Sequence, residues 1–297
     1  MSCHEKELRR NLHLISTFLE RKNGHDRTMS QALHLGVVTL VTAFSFQTAV
    51  AQEHFSHAPG HFETLSTTQG IIIAAPHGTY DIRTDDLAKD VAQALGAGYV
   101  IARGFSTGTS RINVNRPTEG AGRVCEKERC TDRARNVYDH YVRLVGKSCN
   151  GKALRLYVEI HGHTSLPFLN RIEIATTGIT MEEARQLKER FSTFLAQAKA
   201  AYPAYPDLEL RIEPLDKVYF GARCNKTNGY LSTRHAERAL HMEIPRPARN
   251  PEALTATAAL VSSIVRTSMN FIDSATSSGG KEEAPETGKK SVGSSAR

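Results

Sequence analysis

The sequence predicts an α/β domain with a mixed central sheet and helices on both faces. Three observations carry this. Short apolar runs rich in β-branched residues alternate with stretches of helical periodicity. Three of those runs, IIIAAPHGTYD (71–81), YVEIHGH (157–163) and LHMEIPRPAR (240–249), end in histidine or carboxylate beside Gly or Pro, as strands do when they deliver polar groups to the carboxyl edge of a sheet. The 297 residues, 40% of them hydrophobic, suffice for one core of roughly 200–220 residues with ends outside it.

In chain order, residues 1–51 read as a leader. An apolar stretch over 35–46 and the A-x-A signal at Ala49-Val50-Ala51 predict a secretory signal peptide over 29–51, with translation starting at Met1 or Met29. The apolar run is too short for a membrane span, so no stable anchor is expected after cleavage. Residues 52–69, with His54, His57 and His61, read as a polar arm. A strand over 70–75 precedes the His77 loop. Thr84 is placed to cap a helix whose Leu87, Val91, Ala94 and Leu95 share a face. A strand over 99–103 leads into a long polar loop, 104–131, of a length that is usually functional. A helix follows over 132–147, then the central strand ALRLYVEIHGH and another strand near 168–176. Thr180 and Glu183 form a capping box for the next helix, which Pro203 and Pro206 end. LELRIEPL is a strand, 219–236 is irregular, and 239–244 is a strand. Asn250 and Pro251 open the last helix. Residues 70–273 form the domain, and the Ser/Gly/Lys/Glu-rich segment 274–297 reads as a disordered tail.

The formal net charge is +7, without a dense Lys/Arg stripe interleaved with aromatics. Nucleic-acid binding is therefore not expected. Cys3 falls in the leader, which leaves Cys125, Cys130, Cys149 and Cys224. An even count in an exported chain predicts two disulfides. Three pairings are open. One joins Cys125 to Cys130 across a short polar loop and Cys149 to Cys224 across two distant loops. The spacings do not match the paired C-x-x-C knuckles of a structural zinc site.

The chemistry gathers at the strand ends. Two imidazoles and a carboxylate suit a catalytic zinc, which keeps a fourth position for water. His77, Asp81 and His161 are the candidate set for one zinc ion, with Asp85 and Asp86 as alternatives to Asp81. His163 shares a strand face with His161 and reads as a substrate contact; Glu159, on that face too, could orient an imidazole. Glu243 lies between Met242 and Ile244. A carboxylate there needs a partner or a task, either an ion pair with Arg246 or Arg249, or the work of a general base. Asn115 and Arg116, in the long loop, are candidates to hold a substrate carboxylate or an oxyanion. Arg111, Arg171, Arg223 and Arg246 compete for that duty, and Arg246 joins the substrate-binding set.

PHGTYD, INVNRPTEG, VEIHGH and HMEIPRPAR, in this order across about residues 70–272, resemble the N-formylglutamate amidohydrolase-like proteins. More broadly they resemble the zinc carboxypeptidase superfamily, including poly-γ-glutamate hydrolases. The resemblance implies a three-layer phosphorylase/hydrolase-like fold. It implies His77 and His161 as zinc ligands, Glu243 as the catalytic glutamate, and Asn115-Arg116 as the contact to substrate carboxylate or oxyanion. This chain has H-x-x-x-D where carboxypeptidases have H-x-x-E. The expectation is a periplasmic or secreted zinc hydrolase. It would cleave an amide bond in an N-acyl amino acid, γ-glutamyl or peptide substrate with a free carboxylate. The alternative is an inactive envelope binding module on the same fold.

Overall fold

The computed structural model describes residues 51–54, 60–107, 110–120, 125–232 and 235–278. The signal-peptide stretch up to residue 50 and the tail beyond 278 lie outside these residues.

The strands are β1 (Ala51–His54), β2 (His61–Leu65), β3 (Ile71–Ala75), β4 (Gly98–Arg103), β5 (Ser106–Thr107), β6 (Ser110–Asn113), β7 (Thr118–Glu119), β8 (Leu156–His163), β9 (Arg171–Thr177), β10 (Glu209–Ile212) and β11 (Arg238–Pro245). The helices are α1 (Thr84–Leu95), α2 (Asp132–Ser148), α3 (Met181–Ala201), α4 (Arg223–Asn228) and α5 (Leu254–Ser278). Eight strands form one sheet in the order β1-β2-β4-β3-β8-β11-β9-β10. Its centre, β4-β3-β8-β11, is parallel, and antiparallel pairings at β2–β4 and β9–β11 make the sheet mixed. The domain is thus α/β, as the alternation of patterns requires.

Side chains alternate across each strand, so the sheet buries two separate cores. Ile73, Val158, Ile160, Leu240 and Met242 pack on one face with α1, α3 and α5. Ile72, Ala74, Tyr157 and Ala239 pack on the other with Val137, Tyr141 and Val145 of α2. On that second face the apolar packing stops short of the carboxyl ends of β8 and β11. Glu159 and His161 of β8 occupy the positions beyond, facing His241 and Glu243 of β11 in register.

Several expectations change. Residues 61–65 of the supposed polar arm are strand β2, antiparallel to β4, with Phe62 and Thr64 buried and their neighbours partly exposed. A strand with one wet face reads as polar sequence. The long loop contains a small sheet, β5-β6-β7, anchored by buried Ile112 and Val114. The last helix continues to Ser278, past the expected start of the tail. Cys125 is bonded not to Cys130 but to Cys224, 99 residues apart, and Cys130 is disulfide-bonded too. Cys149, expected to pair, is instead a free thiol buried at the end of α2 within the second core. There burial pushes its pKa up to about 11, and it acts as a small apolar residue.

Candidate metal centre

The turn after β3 does the first positioning. The His77 carbonyl accepts from Tyr80 N and Asp81 N at 2.9 and 2.8 Å, and Gly78 N donates to Ala102 O at 3.0 Å. One tight turn therefore sets the side chains of residues 77 and 81 on the same side. Gly78 permits it, because a Cβ there would stand 3.0 Å from Asp85 Cβ and 3.2 Å from Ala102 O. Asp85, the alternative ligand, is tied to Arg103 at 2.7 Å.

His77, Asp81 and His161 are all buried, at 7, 7 and 3% exposure. Nδ1 of His77 and Nδ1 of His161 lie 3.5 and 3.4 Å from the same oxygen, Asp81 Oδ2. These separations are long for charge-assisted hydrogen bonds. Donors set tetrahedrally at roughly 2.0–2.1 Å from one ion lie about 3.4 Å apart. Two imidazoles and a carboxylate thus fit a zinc-like ion in both chemistry and spacing. The sequence-predicted ligand set is brought together.

Behind it lies Glu159, with no exposure. Burying a carboxylate costs several kcal/mol unless its oxygens are satisfied. Here they are. Asn115 Nδ2 stands 3.1 and 3.0 Å from the two oxygens, Tyr157 OH donates at 2.9 Å and Asn225 Nδ2 at 2.7 Å. His161 Nε2 and His241 Nδ1 approach Oε2 at 3.2 and 2.9 Å. Glu159, His161 and His241 also lie close enough to share an ion. The oxygens of Glu159 already hold three other side chains, Asn115, Tyr157 and Asn225, besides the two imidazoles.

The electrostatics follow. Burial lowers the pKa of His77 to about 4, with Asp81 offsetting only part of it. Burial also works against the charged form of His161. The Asp81 and Glu159 carboxylates outweigh it and raise His161 to about 10. Burial alone would raise Asp81 and Glu159, but their imidazole partners hold both well below the usual carboxylate range.

Glu243 sits beside this patch, partly exposed, opposite His161 in register and 3.3 Å from His241 Nε2. The other expected contacts are placed differently. Asn115 is buried and holds Glu159. Arg116 Nε donates to the buried Glu128 at 2.8 Å, and its second nitrogen pairs with the other Glu128 oxygen. His163 lies at the margin, with Nε2 3.3 Å from Arg171 O and its ring 4.9 Å from that of Phe220. Arg246 is exposed on the turn after β11. Arg111 stands with its guanidinium 4.3 Å over the ring of Tyr80, and its Nε is buried without a hydrogen-bond partner.

Sequence reasoning missed His241, Asn225, Tyr157 and the role of Arg249. His241 carried a signal: H-M-E on a strand places residues 241 and 243 on one face. Asn225 carried none. Arg249, which with Arg246 was the alternative ion-pair partner for Glu243, is buried and donates to Ile244 O at 3.0 Å, to His163 O at 3.3 Å and to Ile82 O. One guanidinium thus ties the ends of β8 and β11 to the turn that carries Asp81.

No family model and no curated protein matches the chain. Among solved structures it is similar to a bacteriophage poly-γ-glutamate hydrolase, 11% identical, covering 74% of this chain and 93% of that one with a TM-score of 0.48. It is also similar to N-formylglutamate amidohydrolase from Ralstonia eutropha JMP134, 12% identical, over 73% of this chain and 99% of that one, TM-score 0.38. A third is a metallo-carboxypeptidase from Pseudomonas aeruginosa, 15% identical, over 70% of this chain and 61% of that one, TM-score 0.37. The solved structures similar to this chain thus include the hydrolase groups that its four motifs resemble.

Proposed function

We propose that the protein is an exported, zinc-dependent hydrolase that cleaves an amide bond, on a three-layer phosphorylase/hydrolase-like domain. One observation carries the reading: two imidazoles reach the same oxygen of the buried Asp81 carboxylate, and the partly exposed Glu243 stands opposite one of them, His161, in register. His77, Asp81 and His161 would hold the ion. When bound, zinc supplies Lewis acidity to the substrate carbonyl and the attacking water. Glu243 takes a proton from that water and returns it to the leaving amine. Glu159 keeps His161 turned toward Asp81. Arg116 is engaged by Glu128, so Arg111 is better placed to meet the carboxylate of an N-acyl amino acid, γ-glutamyl or peptide substrate. The Cys125–Cys224 disulfide supports an oxidising, periplasmic or secreted setting. Among the described residues no helix is long and apolar enough to cross a membrane.

The test is purification under zinc-replete conditions, elemental analysis, and a screen of formylglutamate, γ-glutamyl and hippuryl-type amides with Glu243→Gln as control. About one equivalent of zinc is expected, with turnover that falls at least about 10²-fold in the variant at unchanged zinc content. Less than about half an equivalent of zinc, or full activity of the variant, would overturn the reading. A zinc-loaded protein without turnover would favour the binding module.

A further inference from the structure

We infer that His241 is a positioning residue that sets the carboxylate of Glu243, an inference that rests on the reading of Glu243 as the general base. The two residues stand two apart on β11, facing Glu159 and His161 of β8. The imidazole is held on three sides. Its Nδ1 lies 2.9 Å from Glu159 Oε2, its ring centroid lies 4.2 Å from that of His161, and its Nε2 lies 3.3 Å from Glu243 Oε1. Glu159 is itself fixed by Asn115, Tyr157 and Asn225. The ring therefore cannot turn without breaking a buried contact to a fully satisfied carboxylate.

Glu243 has no comparable support. A glutamate on a strand has its Cα fixed but its terminal torsions free, and ordering such a side chain costs conformational entropy. The acid opposite it on β9, Glu173, is engaged by the backbone N–H groups of Tyr219 and Phe220 at 2.7 and 3.0 Å. Among the described residues, the hold on the Glu243 carboxylate is His241 Nε2. Glu159, His241 and Glu243 form a chain from the buried core to the reacting face. The core end is rigid, and the last member does the chemistry.

Two substitutions separate the two nitrogens. In His241→Asn the amide nitrogen stands where Nδ1 stood, so the bond to Glu159 survives and the 3.3 Å contact to Glu243 is lost. His241→Gln places its nitrogen at the Nε2 position and does the reverse. Crystal structures of the zinc-replete wild type and both variants report the Glu243 side chain directly. It should keep its wild-type place in His241→Gln and be displaced or spread over several rotamers in His241→Asn. On an amide the wild type cleaves, kcat should fall about 10²-fold in His241→Asn at unchanged KM, and recover to within about tenfold in His241→Gln. A purely structural histidine predicts the opposite ranking, because Asn retains the buried bond. An undisplaced Glu243 in His241→Asn, or wild-type kcat in that variant, overturns the inference. If the wild type cleaves no amide, the general-base reading fails, while the crystal structures still decide whether His241 holds Glu243.

Discussion

His161 stands between two buried carboxylates, 3.4 Å from Asp81 and 3.2 Å from Glu159, and that decides how the site answers to pH. Its pKa is raised to about 10 in the metal-free protein, while that of His77 is lowered to about 4. Between roughly pH 5 and 9, His77 is already neutral and His161 carries a proton that an incoming ion must displace. Metal affinity should therefore rise about tenfold per pH unit, one proton released per ion. Chelator competition at pH 6, 7 and 8 measures this, and an affinity flat with pH would contradict the assignment of His161. The sign for folding is the reverse. A raised histidine pKa stabilises the metal-free fold fully below its unfolded value near 6.5, and the contribution is lost as pH rises through about 10. Metal-free and metal-loaded protein should thus differ most in melting temperature on the alkaline side. Glu159 governs the same residue from behind. Glu159→Ala would leave two amides, a phenol and two imidazoles facing an empty buried space. It should cost about 3–5 kcal/mol in stability, read from denaturant titration.

At the level of elements, the site is made where β8 and β11 end, and Arg249 is what fixes those ends relative to the His77–Asp81 turn. Its guanidinium passes over Gly162, where a Cβ would lie within 2.6 Å of Nη1. Three carbonyls hold that guanidinium, so it cannot move aside. Gly162→Ala should therefore destabilise the protein by about 1–3 kcal/mol, as other overpacking changes do, and weaken metal binding together with it. A variant with unchanged melting and metal affinity would show that the clamp is dispensable. The same elements show what the sequence made legible. Strands that end in His or carboxylate were readable because apolar β-branched runs are a local pattern, and their parallel pairing then brings the ends together. Thus His77, Asp81, His161 and Glu243 could be named from local pattern. His241 is equally legible from period-2 alternation, which puts it on the same strand face as Glu243. Strand β2 was not readable, because only Phe62 and Thr64 mark its buried face. The pairing of Arg116 with Glu128 was hidden too, since two polar residues 12 apart in a loop carry no periodic signal.

Across the whole molecule, the hub at Glu159 receives its amides from two segments far apart in sequence. Asn115 comes from the turn between β6 and β7, and Asn225 from α4. They meet directly: Tyr230 N donates to Asn115 O at 2.9 Å, and a Cβ on Gly229 would overlap Asn115 O. The Cys125–Cys224 disulfide joins these two segments, with Cys224 next to Asn225 and Cys125 three residues before Glu128, the partner of Arg116. No pattern along the chain could reveal this pairing, because it depends on how both segments fold over β8. The bond closes a loop of about 100 residues, which in the chain-entropy model stabilises by about 3–5 kcal/mol. Its placement adds a local consequence. Without it, both amide donors to Glu159 can move away, and Glu159 then holds His161 less firmly. The double variant Cys125→Ser/Cys224→Ser should melt at lower temperature, and its metal affinity should fall about tenfold or more, the range expected when a group that orients a metal ligand is lost. Thermal melts with metal bound and chelator competition at a temperature where the variant is folded separate the two effects. Lower melting with unchanged metal affinity would leave the bond a global staple only. Loss of both would make it part of the machinery that holds the metal centre.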